Sequence, residues 1–272
     1  MMEIRDLVTL IAQDKGHRAI DLVVISLRGL QTIAGRVNSA TELIDTAREM
    51  QNARPASASL QNVLDAFCER LQDMKEANLA AGVAVICNDL AEEMITAQDA
   101  VAERMATLVE DGETVMTYSM SSSIRRFYEV THRQNKRVGA IVCESRPGME
   151  GRLMANDLSH LDIETTYITE SQVGIFMKQA DKVVLGADRL LASGDVVNKA
   201  GSLPLALVAR HYGVPVYVCA DSFKQSSNDV FETEEFDADE LELPMMASVK
   251  VRNIYLEVLP KDLISQLITD KQ

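Results

Sequence analysis

The sequence predicts an α/β protein with two parts: a helical N-terminal domain over residues 1–110, then a domain built on a mainly parallel sheet over residues 111–272. Two observations predict this. Up to about residue 110, apolar residues recur three and four apart between charges, the period of amphipathic helices. After Asp111-Gly112, short apolar runs alternate with helical patterns, which is how parallel strands joined by crossover helices read.

In the first part, AIDLVVISLRGLQTIAG and SATELIDTAREMQ are plainly amphipathic, and the pattern returns over residues 59–108. Arg54-Pro55 punctuates this half, and Pro55 stands just before a helix that Ser57 or Ser59 would cap. In the second part, TVMTYS precedes SSIRRFYEVTHRQ, RVGAIVCES precedes EGRLMANDLSHL, and ETTYIT precedes SQVGIFMKQA. KVVLGAD leads into a hairpin-like excursion turning at Ser193-Gly194. AGSLPLALVARHY reads as a helix, VPVYVCA as the next strand, and VKVRNIYLEVL as one more.

Composition narrows the function classes. At 47% hydrophobic and 25% charged, the 272 residues are ordinary for a globular protein. The N-terminus carries early acids and no long apolar core, so no signal peptide is expected. No apolar run approaches the roughly 20 residues that span a bilayer, and a cytoplasmic location without membrane contact is expected. The net charge is −14, but residues 229–242 supply eight acids and no Lys or Arg, leaving −6 elsewhere. That segment reads as an exposed loop or mobile flap, or else as a docking tail for a basic protein partner. No basic stripe is present, which argues against nucleic acid as a partner. Cys68, Cys87, Cys143 and Cys219 form no CxxC pair and read as reduced thiols. The four histidines lack metal-ligand spacing, so no metal is expected.

Ligands of an open parallel sheet bind outside the carboxyl ends of its strands. There the sequence places Ser119 and Ser121–Ser123, Glu144 and Arg146, Glu170, Asp188, and Asp221 with Lys224; Asn198-Lys199 and Gly201-Ser202 stand at a helix start. Ser and Asp cap helices, which accounts for any one of these. It does not account for Arg146, Lys199 and Lys224, because cations cap no helix N-terminus. Serine-rich and Gly-Ser turns at helix starts suit a phosphate, which Arg146 and Lys199 would complete. No GxGxxG follows the first strand and no GxxxxGK[ST] occurs, so no dinucleotide cofactor or P-loop nucleotide is signalled. A smaller phosphorylated ligand fits better.

The pattern ESRPxxEGR (144–152), the strand ending in GAD (186–188), and VVNKAGS (196–202) closely resemble one superfamily. It joins the alpha, beta and delta subunits of translation initiation factor 2B to ribose-1,5-bisphosphate isomerase and methylthioribose-1-phosphate isomerase. ITESQ (168–172), ADSFK (220–224), ARPASASL (53–60) and VKVRNIYLEVLP extend the likeness to nearly the whole chain. The resemblance implies a helical domain followed by a Rossmann-like domain, usually dimeric through the latter. It also implies that Asp188 faces sugar hydroxyls, that Asn198 and Lys199 line the pocket, and that Arg54 lies on the phosphate side.

The isomerases use a cysteine after the first strand of the second domain, together with the Asp of GAD. Here Ser119 holds the cysteine's place, and a serine hydroxyl is a far weaker acid. The serine-rich TYSMSSS and the acid Glu150 resemble the initiation-factor branch, since the isomerases more often have Gln there. The isomerases' N-terminal phosphate segment is replaced by DKGHRAID, where Gly16 and Arg18 are the substitutes on offer. The first reading is therefore a regulatory or assembly protein that binds a sugar phosphate or nucleotide phosphate. The alternative is an aldose–ketose isomerase of a phosphorylated pentose, with Asp188 as proton shuttle and Ser119, or the nearby Cys143, in place of the thiol.

Overall fold

The computed structural model describes residues 4–13, 19–37, 39–74, 78–231, 233, 235–244, 246 and 248–271. These form two compact units. The first is Met1–Ala97 with Phe223–Gln225; the second is Gln98–Ser222 with Ser226–Gln272.

The first unit contains α1 (Ile4–Gln13), α2 (Ala19–Ala34), α3 (Ala40–Ala53), α4 (Ala58–Asp73) and the first part of α5 (Leu79–Thr107). Their apolar faces follow the helical period: Leu43, Ala47 and Met50 on α3, and Leu60, Val63, Leu64, Phe67 and Leu71 on α4, are all buried in one core. Gly29 lets α2 approach α1, because a Cβ there would run into Leu7. The bend at Arg54-Pro55 is clamped by two glutamines. Gln51 Nε2 donates to Gln61 O (2.8 Å), while Gln61 Nε2 donates to Gln51 O (2.8 Å) and Arg54 O (3.1 Å). Ser57 is the N-cap of α4, but its side chain makes no capping bond, and Ser59 lies inside the helix.

The second unit is built on a six-stranded sheet in the order β3-β2-β1-β4-β7-β9. The strands are β1 (Thr114–Tyr118), β2 (Gly139–Cys143), β3 (Thr165–Ile168), β4 (Lys182–Leu185), β7 (Val216–Cys219) and β9 (Gln266–Ile268), all paired in parallel. The crossovers carry α6 (Ser122–Arg133), α7 (Gly151–Ser159), the short α8 (Val173–Phe176) and α9 (Ser202–Tyr212). Period-two alternation splits β1 between two cores: Met116 and Tyr118 enter one, Val115 the other. The chain runs from β1 outward to β2 and β3, then returns to place β4 on the other side of β1. A sheet of this kind binds ligands at such a switch point.

A second, antiparallel sheet in the order β5-β6-β8 is formed by β5 (Arg189–Leu190), β6 (Val196–Lys199) and β8 (Leu256–Leu259). Its hairpin turns at Gly194, whose φ of +90° favours glycine. The register sets Asn198 opposite Glu257 and Lys199 opposite Leu256.

The structure departs from the sequence reading in three elements. Of VKVRNIYLEVL only Leu256–Leu259 is a strand, and it joins the small sheet rather than the parallel one. The parallel sheet instead gains β9, three residues too short to show a period. The helix read in SQVGIFMKQA is broken into the 3-10 turns Glu170–Gln172 and Met177–Gln179 around α8. Gly174 between β-branched Val173 and Ile175 weakens a helix there.

Among the described residues no helix is long and apolar enough to cross a membrane. Gly151 opens α7 against the end of β2, where a Cβ would collide with the backbone carbonyl of Cys143. Gly151→Ala is expected to destabilise the protein by about 3 kcal/mol, as overpacking against rigid backbone does, measured by urea denaturation.

Candidate functional site

The loops after β1, β2 and β3 are tied together by hydrogen bonds. Ser119 sits in the left-handed region (φ +65°), as does Ser145 (φ +68°). Such conformations are uncommon outside glycine and are kept only where the surroundings fix them. Here the Ser119 N–H donates to Ser145 Oγ (2.5 Å), and that hydroxyl donates to Cys143 O (3.1 Å). Behind them the Glu170 carboxylate accepts from the Ser145 N–H and from the Arg146 N–H (3.2 Å).

Across the switch point, the Ser121 hydroxyl lies over Gly186 at the end of β4, where any Cβ would meet it at 2.5 Å. Asp188 is half-buried just beyond, and its N–H donates to Val197 O (2.8 Å) on β6. That bond fixes the backbone of the GAD turn against β6, the strand that carries Asn198 and Lys199. Asn198 Nδ2 donates to Ser202 Oγ (2.9 Å), and that hydroxyl donates to Lys199 O (2.7 Å). Lys199 is 5% exposed; its Nζ lies 2.6 Å from Glu150 Oε1 and 3.7 Å from the centroid of the Tyr255 ring.

Several candidates already have partners within the protein. The start of α9 is capped by Glu257, whose Oε1 accepts from the N–H groups of Gly201 (2.6 Å) and Leu203 (2.9 Å). An anion at Gly201-Ser202 would have to displace this carboxylate. Gly201 is required for another reason: its φ is +112°, and a Cβ would fall on the Tyr118 hydroxyl, which donates to Ala200 O (2.9 Å). Glu144 accepts from Arg152 (3.0 Å) and Tyr167 (3.1 Å), and the Arg152 guanidinium beside it holds its carboxyl below the usual range. Arg146 Nη2 donates to Leu241 O (3.4 Å). Burial, with Glu170 nearby, pushes the Cys143 thiol up to about 12, which suits a core residue and not a proton donor near neutrality.

The sequence matches the initiation factor 2 subunit family over residues 4–271. The chain belongs to that family. It is 34% identical over 235 residues to "Ribose 1,5-bisphosphate isomerase" of Archaeoglobus fulgidus, covering 84% of this chain and 75% of that protein. It is 31% identical over 237 residues to "Putative translation initiation factor eIF-2B subunit 2-like" of Pyrococcus abyssi, covering 84% and 80%. Among solved structures it is similar to the translation initiation factor eIF-2B of Pyrococcus horikoshii, with a TM-score of 0.83, 25% identity, and coverage of 99% and 96%.

In this initiation factor 2 family chain, Ser119, Ser121, Glu144, Arg146, Asp188, Asn198, Lys199, Gly201 and Ser202 all belong to the second unit. Arg54 and Lys224 belong to the first, Lys224 in a segment fixed by Asn62 Nδ2, which donates to Phe223 O (2.6 Å) and Gln225 O (2.9 Å). Gly16 and Arg18 lie outside the described residues. Ser145, Tyr255 and Glu257 were not singled out from the sequence. Glu257 acquires its role only through strand pairing, and Ser145 only through its backbone conformation.

The acidic segment is not simply a solvated loop. The Phe236 N–H donates to Asn253 O (2.8 Å), Asn253 Nδ2 donates to Asp237 O (2.7 Å), and Glu240 accepts from Asn253 (3.0 Å) and the Tyr255 hydroxyl (2.5 Å). Residues 235–242 thus form a strap held on the second unit.

Two outcomes follow. Glu257→Ala should cost about 2 kcal/mol by chemical denaturation, since it removes a charged cap from α9. Native Cys143 should resist iodoacetamide at pH 8 under conditions that alkylate it fully in denaturant, read by peptide mass spectrometry.

Proposed function

We infer that the protein acts on a phosphorylated pentose, as an aldose–ketose isomerase of the ribose 1,5-bisphosphate type. What supports this is the GAD turn of Asp188, bonded through its backbone to the strand that carries Asn198 and Lys199, in a chain 34% identical to the Archaeoglobus fulgidus isomerase. In this reading Asp188 moves the proton between the two carbons that exchange the carbonyl. Lys199 and Asn198 hold the sugar oxygens, and Ser121 with Arg146 receives a phosphate, Arg146 giving up its bond to Leu241. Ser119 provides the hydroxyl where the related isomerases keep a thiol. Four buried cysteines with free thiols fit a reducing, cytosolic location.

A second reading is favoured by one feature. Ser119 is a poor acid, and Cys143, with its thiol pushed up to about 12, does not replace the missing cysteine. A protein that binds the sugar phosphate without converting it, in an initiation factor 2B-like assembly, would tolerate both. Turnover separates the two. As an isomerase, the wild type converts ribose 1,5-bisphosphate to the ketose, and Asp188→Asn loses at least about a hundredfold in kcat while still binding. Ser119→Cys then raises the rate, because a thiol titrates near pH 8.5 and a serine far above it. A wild type that binds the sugar phosphate but never turns it over would establish the binding reading. The protein is also expected to be a homodimer through its second unit; a single 30.0 kDa species in light scattering at micromolar concentration would refute this.

A further inference from the structure

We propose that Tyr255 is the positioning residue for Lys199: the face of its ring holds the ammonium group in place, and the acidic strap of residues 235–242 holds the ring. The role of Lys199 towards a ligand rests on the reading above; the holding of its ammonium group does not.

A lysine side chain has four rotatable bonds, and its Glu150 partner contacts it through one oxygen, at 2.6 Å. A single ion pair leaves the ammonium free to swing about that oxygen. The Tyr255 ring removes this freedom. Its centroid lies 3.7 Å from Lys199 Nζ, within the range of a cation–π contact, and Lys199 is only 5% exposed, so water competes little. The backbone reinforces the arrangement: Lys199 pairs with Leu256, and the Ala200 N–H donates to Tyr255 O (2.7 Å).

The ring is itself fixed from the strap. Phe236 stacks on it, with centroids 4.2 Å apart and an interplanar angle of 21°. A stacked ring at that distance covers one face, so the ammonium takes the other. The Tyr255 hydroxyl donates to Glu240 Oε2 (2.5 Å). Burial, and then Glu240, push the pKa of this phenol up, so it stays a neutral donor with an undistorted ring face. Strap, ring and lysine therefore form one stack. Phe236 and Glu240, which sit in a run that reads as solvated charge, set the position of a buried cation.

The test compares Tyr255→Leu, which removes the ring, with Tyr255→Phe, which keeps the face and loses only the hydroxyl. Tyr255→Met replaces the Leu variant if that one does not fold. Lysine labelled with carbon-13 at Cε, with the Lys199 signal assigned from Lys199→Arg, reports the contact without any ligand. In the wild type and Tyr255→Phe the attached protons should be shifted upfield by the ring; in Tyr255→Leu they should move to the position of an ordinary lysine. Calorimetry with ribose 1,5-bisphosphate, in an Asp188→Asn background to prevent turnover, should show Tyr255→Leu binding about tenfold more weakly. Tyr255→Phe should bind within about twofold of its parent, since the face of the ring is retained. An unshifted Lys199 signal in the wild type, or equal weakening by the Leu and Phe variants, overturns the proposal. If the Asp188→Asn parent binds no sugar phosphate, the functional reading falls, and the resonance decides the role of Tyr255 on its own.

Discussion

The arrangement of the second unit depends on the reversal of strand order beside β1. Because β2 and β3 extend to one side and β4, β7 and β9 to the other, the loops leaving β1 and β4 part to opposite faces. Neither loop carries a helix across the gap between them. The chain fills the gap with polar side chains: Ser119 and Ser121 from one loop, and the Asp188 turn from the other. Each further feature of the corner supports this one. The small sheet carries Asn198 and Lys199 on β6, and α9 starts shortly after that strand ends.

Carboxylates do much of the tying. Glu170 gathers the backbone after β2, Glu257 caps α9, and Glu150 pairs with Lys199. A buried cation or an open helix start is costly alone, and each is here matched by an acid from a distant part of the sequence. The same economy sets the chemistry. The N–H groups of Gly201 and Leu203 are taken up by Glu257, and the Asn198 amide and Lys199 ammonium are likewise bonded within the protein, to Ser202 and Glu150.

The acidic segment shows how charge runs mislead when taken alone. Its net charge predicts solvation, yet Phe236 and the Asn253 amide give it specific attachment points. The Phe236–Tyr255 stack, together with the hydrogen bonds of Asn253 and Glu240, docks residues 235–242.

Much of the fold was legible in the sequence. Helical periods in α3 and α4, and apolar strands ending in small polar residues at β1, β2 and β4, follow from local side-chain pattern, and the chain shows that pattern directly. Asp188, Asn198 and Lys199 stand out as candidates for a similar reason: polar and charged groups at strand ends are conspicuous. Pairing was not legible. That Leu256–Leu259 joins β6 rather than the parallel sheet, that β9 completes that sheet, and that Glu257 therefore reaches α9 all depend on contacts between residues far apart in sequence. The left-handed backbone at Ser119 and Ser145 was equally hidden, because serine has no preference for it and only the Glu170 and Ser145 hydrogen bonds enforce it. Local pattern decides what each segment is; only packing decides which polar groups face one another, and with that which of them remain for a ligand.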